Sequence, residues 1–282
     1  MKIMLVGAGG MLATELVKRW SARHEMHPLS IADLDITRFP GVRQAVRSLK
    51  PGIIVNCAAY NAVDDAETQI EEAYRANCVG PRNLAVCAEE ANVPLVHFST
   101  DYVFDGRVTR PYVEYDAPNP LGVYGKSKAA GERAVRDHSS RWFIVRLAWL
   151  VGHAGRNFVE TMLHVGKEKG SVAVVTDQVG CPTFCADVAR NLELLIASGE
   201  FGLYHMTGNG ECSWHEFAVE IFRQAGMPHV RVEETTMAAY GRPAPRPAYA
   251  VLRNLMLELG VGDLMPFWKE SLREYLAGRN SP

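Results

Sequence analysis

A short apolar run at residues 3–6 ends in Gly7-Ala8-Gly9-Gly10 and passes at once into residues 11–20, where apolar side chains recur at helical spacing. An uninterrupted apolar strand of this kind suits a parallel sheet covered on both faces. Glycine lets the chain turn tightly behind such a strand, and the free N–H groups opening the next helix favour an anion. The spacing departs from G-x-G-x-x-G, because Leu12 would hold the third glycine position. It fits G-x-x-G-x-x-[GA] through Gly7, Gly10 and Ala13. A tight strand-to-helix turn with no ligand would need the same residues, so the rest of the chain must decide.

The alternation repeats. Residues 53–55 precede a long helical stretch at 71–91, residues 95–98 form the next strand, and helical spacing over 124–137 leads into a strand at 142–145. Strands alternating with helices imply right-handed crossovers, hence an α/β fold with a Rossmann-type doubly wound parallel sheet. After about residue 150 the rhythm loosens into strands at 172–175 and 203–206 and helices at 157–167, 186–196 and 217–225. Ser213 and Glu216 make a capping box for the last helix, and Arg242-Pro243-Ala244-Pro245-Arg246-Pro247 reads as an extended loop. The length of 282 residues then divides into a dinucleotide-binding domain, 1–150, and a smaller C-terminal α/β substrate lobe, 151–282. The boundary is approximate, and the chain is free to cross back.

Composition excludes several classes. Lys and Arg number 30 against 32 Asp and Glu, with no basic stripe, which argues against a nucleic-acid partner. The longest apolar stretches, such as 143–151 with Arg146 inside it, fall short of the roughly 18 residues of a membrane helix. Residues 2–13 are followed at once by Glu15, Lys18 and Arg19 and contain helix-breaking glycines, so they read as a buried strand and turn, not a leader. Six cysteines without a CxxC pair suit reduced thiols and a cytoplasmic setting. His24 and His27 lack a third ligand and read as solvated histidines, so no metal-site residue is assigned, and the sequence argues neither for nor against a metal elsewhere. Monomer and homodimer both stay open.

The chemistry-bearing residues fall at the carboxyl ends of the predicted strands. The second strand closes with Pro28-Leu29-Ser30, where an NAD enzyme usually carries an acid for the ribose hydroxyls, and Asp33 and Asp35 follow later. Ser30 removes the carboxylate that would repel a 2′-phosphate, which leans the reading toward NADPH while leaving NADH open. Asn56-Cys57-Ala58-Ala59 closes the third strand with residues small enough for backbone to pass near a cofactor. Ser99-Thr100-Asp101-Tyr102 closes the fourth with a hydroxyl. Tyr124 and Lys128 lie four apart on one helix face. A tyrosine of ordinary pKa about 10 is a poor acid or base near neutrality, and a neighbouring ammonium would bring it toward working pH. Thr100 could hydrogen-bond the same substrate carbonyl and polarise it.

At these residues the chain resembles the extended short-chain dehydrogenase/reductase superfamily and, within it, the dTDP-4-dehydrorhamnose reductase family. The resemblance covers almost the whole chain: the glycine turn, Leu34-Asp35-Ile36-Thr37, 56–64, 99–106, Tyr124-Gly125-Lys126-Ser127-Lys128, Arg146-Leu147-Ala148-Trp149, Asp177-Gln178 with Pro182-Thr183, and the Arg-Pro segment. Nucleotide-sugar 4,6-dehydratases share the layout but carry Asp-Glu after the threonine; here Tyr102 follows Asp101. The resemblance implies Tyr124 as proton donor, Lys128 on the nicotinamide ribose and Thr100 on the substrate carbonyl. It places Gly7, Gly10, Met11 and Leu12 at the pyrophosphate. Ser30, Asp35 and Ile36 fall at the adenosine end, and Ala58, Ala59, Tyr60 and Asn61 on the ribose side. The sugar nucleotide would meet Thr100, Asp101, Phe104, Trp149, Gln178 and Arg242.

The residues leave other roles open. Trp149 suits a core as well as a stacking role, Gln178 and Thr183 can stabilise loops, and Arg242 and Arg246 can grip a diphosphate or solvate their loop. Ala13, Tyr60 and Ala250 depart from the commoner family residues and blur which sugar is bound. The implied reaction is NAD(P)H-dependent reduction of the C4 keto group of dTDP-4-dehydro-L-rhamnose. A reductase or epimerase of another 4-keto-6-deoxy nucleotide sugar, and a cofactor-binding regulatory module without turnover, are the alternatives. Intact Thr100, Tyr124 and Lys128 weigh against the module.

Overall fold

The computed structural model describes residues 1–279. The first half runs β1 (Lys2–Val6), α1 (Met11–Trp20), β2 (Glu25–Leu29), α2 (Phe39–Leu49), β3 (Ile53–Asn56), α3 (Ile70–Tyr74), α4 (Gly80–Ala91), β4 (Leu95–Thr100), α5 (Val123–His138) and β5 (Trp142–Leu147). The second half contains β6 (Leu150–Val151), α6 (Phe158–Lys169), β7 (Ser171–Val175), β8 (Val179–Gly180), β9 (Thr183–Phe184), α7 (Cys185–Ser198) and β10 (Gly202–His205). It ends with β11 (Cys212–Ser213), α8 (Trp214–Gln224), β12 (Arg231–Thr235), α9 (Met237–Tyr240), α10 (Leu255–Leu259) and α11 (Trp268–Gly278).

Six parallel strands form the main sheet in the order β10-β5-β4-β3-β1-β2. The pleat sends Ile3, Leu5, Val55 and Val145 into one core, against Leu16 of α1 and Val188 and Leu192 of α7. Met4, Val6, Ile54 and Ile144 enter the opposite core, against Val42, Leu84 and Val135 from α2, α4 and α5. Two covered faces explain why the inner strands read as continuous apolar runs. β2 is one of the two edge strands and alone in the sheet carries a proline, Pro28, where a missing N–H costs no ladder bond.

One expectation needs correction. The long helix over 71–91 is interrupted: α3 and α4 are joined by a π-helical turn, Arg75–Val79. Pro81 has no N–H for the carbonyl of Asn77 and its ring would crowd that oxygen, so the backbone widens there. The chain also crosses back over the approximate boundary at residue 150, as the sequence left open. α7 packs on α1, with the Trp20 indole donating to the Ala189 carbonyl at 3.1 Å, and β10 then pairs with β5 to complete the main sheet. The remaining second lobe has its own core around Val159, Phe217, Ile221, Phe222, Trp268 and Leu272, with β7 and β12 paired in parallel. Ser213 and Glu216 form the expected capping box on α8. No helix among the described residues is long and apolar enough to cross a membrane.

Candidate active site

The chain leaves β1 to one side for β2 and returns on the other side as β3, so the carboxyl ends of β1 and β3 mark the point where the sheet order reverses. Ligands of open α/β sheets bind in that crevice. Gly7 turns there with φ 84°, and a Cβ on it would stand 2.5 Å from the Ala58 nitrogen. Glycine is therefore needed both for the turn and for the approach of the two strand ends. α1 starts at Met11 behind Gly10, an N-cap that has no side chain to bond, and carries no acid in its first turn, leaving its N–H groups and the positive end of the helix facing the crevice. Uncapped donors at the edge of a crevice lined by Gly10, Met11, Leu12 and Ala13 fit a dinucleotide pyrophosphate, which Gly10, Met11 and Leu12 would hold.

Thr100 ends β4, and its hydroxyl accepts from the Tyr102 N–H at 3.2 Å and donates to Asp101 Oδ1 at 2.9 Å. The helical turn Asp101–Val103 that it caps lies against the start of α5 at Gly125, where a Cβ would overlap the Tyr102 carbonyl. Because residue 125 has no side chain, Tyr124 comes in beside Thr100, its ring edge-on to Tyr102 at 5.6 Å. One turn along α5, Lys128 is 3% exposed and donates to the Phe98 carbonyl at 2.6 Å. A second close approach fixes the far side of α5: a Cβ on Gly131 would overlap the Asn77 carbonyl, the one that Pro81 leaves without its helical donor.

Asn77 ties the assembly together. Its Oδ1 accepts from the Tyr60 N–H at 2.8 Å, while its Nδ2 donates to the Tyr60 carbonyl and to Ser127 Oγ, both at 3.0 Å. The loop after β3 is thereby held in register with the α5 turn that carries Tyr124 and Lys128. Asn56 plays a similar part below, accepting from the Ala58 N–H at 3.0 Å and contacting the buried His97 ring at 3.0 Å.

Burial governs the titration of these groups. It pushes the Tyr124 phenol above its ordinary range, opposed by the Thr100 hydroxyl and reinforced by Asp101 and Tyr102. It brings Lys128 down to about 8, against the pull of Glu132 and Cys57, and raises Asp101 to about 7 despite its bond from Thr100. The expected lowering of Tyr124 by Lys128 is therefore absent from this geometry. One of the three ammonium donors goes to the Phe98 carbonyl, and desolvation dominates the phenol.

The cleft has a volume of about 440 Å³ and brings together Gly10, Met11, Leu12, Ala58, Ala59, Asn61, Thr100, Asp101, Tyr124, Lys128 and Trp149. Gly7 and Tyr60 support it from behind through the contacts above. Ser30 and Asp35 stand off along the surface past β2; Asp33 Oδ2 accepts from the Ser30 N–H at 2.9 Å and hydroxyl at 2.7 Å, and Asp35 binds Thr37. Ile36 is buried, its side chain filling the space a Cβ on Gly80 would take.

Three of the expected sugar-nucleotide contacts lie elsewhere. Phe104 is 1% exposed, stacked on Tyr112 at 4.1 Å beneath the Arg146 guanidinium, so it is a core residue. Gln178 is buried on the connection between β7 and β8, off the cleft wall. Arg242 reaches Asp64 at 3.4 Å over the Tyr240 ring, and Arg246 grips Asp64 at 2.9 and 3.1 Å. Asp64 thus anchors the Arg-Pro loop. Thr183 is buried, bonded to the Cys181 carbonyl and the Gly208 N–H. Each histidine of the His24/His27 pair faces its own carboxylate, Glu193 or Glu25.

Sequence reasoning missed Asn77, Tyr102, Arg156 and Trp214 as neighbours of the site. Pro81 inside a helical pattern was the available signal for Asn77. Trp214 and Arg156 line the cleft from the second lobe, and nothing in their local spacing announces it. Trp149 adopts φ 44° and stacks on Trp214 at 3.5 Å and 9° between planes, in a slot left by Gly180.

The sequence pattern of the family described as the RmlD substrate binding domain matches residues 1–280. The spore coat polysaccharide biosynthesis protein SpsK of Bacillus subtilis is 39% identical over 281 residues, covering 99% of this chain and 98% of that one. Among solved structures, a dTDP-4-dehydrorhamnose reductase from Clostridium acetobutylicum is 45% identical with a TM-score of 0.97, and all of each chain is covered. That of Bacillus anthracis, solved in complex with NADP, is 40% identical with a TM-score of 0.96, covering 99% of this chain and 100% of its own. With glycine turn, Thr100, Tyr124 and Lys128 in one crevice and full-length likeness on both counts, the chain belongs to the dTDP-4-dehydrorhamnose reductase family of the extended short-chain dehydrogenases/reductases.

Proposed function

We propose that this chain is an NAD(P)H-dependent oxidoreductase that reduces the C4 keto group of dTDP-4-dehydro-L-rhamnose to give dTDP-L-rhamnose. The observation that carries the reading is the convergence of Thr100, Tyr124 and Lys128 in the cleft that also receives the uncapped start of α1. When bound, the reduced nicotinamide supplies the hydride that ends on C4 of the sugar. Lys128 would hold the nicotinamide ribose through its ammonium, from its place on the Phe98 carbonyl. The Tyr124 phenol would donate to the substrate carbonyl oxygen, and the Thr100 hydroxyl would turn from Asp101 Oδ1 to the same oxygen and polarise it. Tyr124 gives its proton to that oxygen as negative charge gathers there, and burial keeps the phenol protonated through neutral pH until it is needed. Solvent restores the proton before the next turnover. Trp149 and Trp214, stacked on each other, line the cleft and would face the sugar nucleotide.

Mixing the purified protein with dTDP-4-dehydro-L-rhamnose and NADPH or NADH should consume the reduced cofactor and form dTDP-L-rhamnose. Tyr124→Phe should lower kcat by about 10²–10⁴-fold, the usual share of general acid catalysis, and bind NADPH as before. No product from the wild-type protein would exclude this substrate, and an unchanged rate in the variant would remove Tyr124 from the proton transfer.

A further inference from the structure

The second ligand in the proposed reaction carries a diphosphate, and the two arginines expected to hold it are already occupied: Arg242 and Arg246 both pair with Asp64, Arg246 also meets the Tyr102 side chain, and neither arginine lines the cleft. The charged side chains that do line the cleft are Asp101, Lys128 and Arg156. Lys128 is buried against the Phe98 carbonyl at the reacting end, and Asp101 offers no positive charge to an anion. Arg156 is exposed and has no hydrogen-bond or ion-pair partner among the described residues. We propose that Arg156 grips the diphosphate of the sugar nucleotide where it enters the cleft, an assignment that rests on the substrate reading above.

The loop bearing Arg156 is pinned. Asn157 donates to the Gly152 carbonyl at 2.8 Å, closing the loop on itself, and accepts from the Glu160 N–H at 3.0 Å as the cap of α6. The Trp149–Trp214 stack lines the same cleft, with Trp214 fixed at the start of α8 by the Ser213–Glu216 capping box. A guanidinium carried on a fixed loop in a cleft with an aromatic wall presents its fork of donors to a diphosphate without paying to abandon another partner. The cofactor pyrophosphate has a separate set of donors in the first turn of α1.

Titration calorimetry with dTDP and, separately, with NADPH tests this on the intact protein and on Arg156→Gln, Arg156→Lys and Arg242→Gln. Arg156→Gln should weaken dTDP about 10- to 100-fold, the range of a hydrogen-bonded charge contact. Arg156→Lys should recover part of that affinity, and Arg242→Gln should bind dTDP as the wild type does. NADPH affinity should be the same in all four proteins. Unchanged dTDP binding in Arg156→Gln overturns the proposal, and an equal loss of NADPH binding assigns the arginine to the cofactor and also overturns it. A wild-type protein that binds NADPH but no dTDP sinks the substrate reading itself, a result distinct from either.

Discussion

Gly125 and Tyr102 touch with no space for a side chain between them, since a Cβ at 125 would overlap the Tyr102 carbonyl oxygen. That contact sets how closely α5 approaches the end of β4, and so how closely Tyr124 approaches Thr100. Gly125→Ala should force the helix and the turn apart. Overpacking of this kind costs about 1–3 kcal/mol. At this chain length that lowers Tm by about 2–4 °C for each kcal/mol. Because the displaced element carries the proton donor, kcat should fall about 100-fold, as for a 1 Å misplacement, with NADPH affinity little changed. Thermal unfolding and steady-state kinetics on the one variant check both parts, and a wild-type kcat would show that Tyr124 is placed by something else.

How much of this was legible beforehand depended on whether a feature announces itself locally. The turn at Gly7 to Ala13, the Thr100 hydroxyl at a strand end and the i, i+4 pair Tyr124 and Lys128 are short-range patterns, and the fold brings them to one crevice. The return of residues 202–205 into the main sheet was not legible, because a short apolar strand has the same pattern whichever sheet it joins. Arg242 and Arg246 looked like free anion donors until Asp64, some 180 residues away in sequence, proved to be their partner. The relation between Lys128 and Tyr124 was legible as proximity but not as energy. A backbone carbonyl, which has no sequence signature, takes one ammonium donor, and burial then decides the phenol.

The same helix is tied to the sheet from below by a buried ion pair. Arg146 Nε and Nη2 each meet a Glu132 oxygen at 2.8 Å, and the two side chains are 1% and 0% exposed. Removing one partner leaves the other charged and dry, so Arg146→Met should cost about 3–5 kcal/mol. Replacing both with apolar residues of similar volume, Arg146→Met with Glu132→Leu, should recover most of that loss, reduced by the surface contact Glu132 also makes to Arg136. Denaturant unfolding of the single and double variants checks the difference. A double variant as unstable as the single one would mean that the pair itself, and not the uncompensated charge, holds β5 to α5.

Asp33 bears on the choice between NADPH and NADH. Bonds from the Ser30 hydroxyl and N–H hold its carboxyl below the usual range, so it is ionised at neutral pH. Those same two donors, at the carboxyl end of β2, are the ones a ribose 2′-phosphate would seek there, and the carboxylate both occupies and repels. Ser30 alone leaned the sequence toward NADPH; its partner pulls the other way. Asp33→Asn keeps an acceptor for Ser30 and removes the charge. It should raise kcat/KM for NADPH severalfold while leaving that for NADH nearly unchanged, measured with both cofactors against one substrate. An equal change for the two would place the 2′ position elsewhere.

Asp101 should leave a mark on stability as a function of pH. Its carboxyl is 2% exposed, Oδ2 has no partner, and burial raises it to about 7, above the roughly 3.9 of an exposed aspartate. Between those values the folded chain holds a proton that the unfolded chain has released, so this group's contribution declines as pH rises through the window. It is fully present below about pH 4 and gone above about pH 7, where a buried carboxylate must be carried in charged form. Asp101→Asn keeps an acceptor for the Thr100 hydroxyl but cannot ionise. The variant should therefore melt above the wild type at pH 8, and the gap should shrink steadily as pH is lowered to 5. Every other titrating group is common to both proteins, so the difference in Tm isolates this one. A gap that stays constant over that range would mean Asp101 ionises as an ordinary surface carboxylate does, and that the cleft around Thr100 and Tyr124 is wetter than its burial indicates.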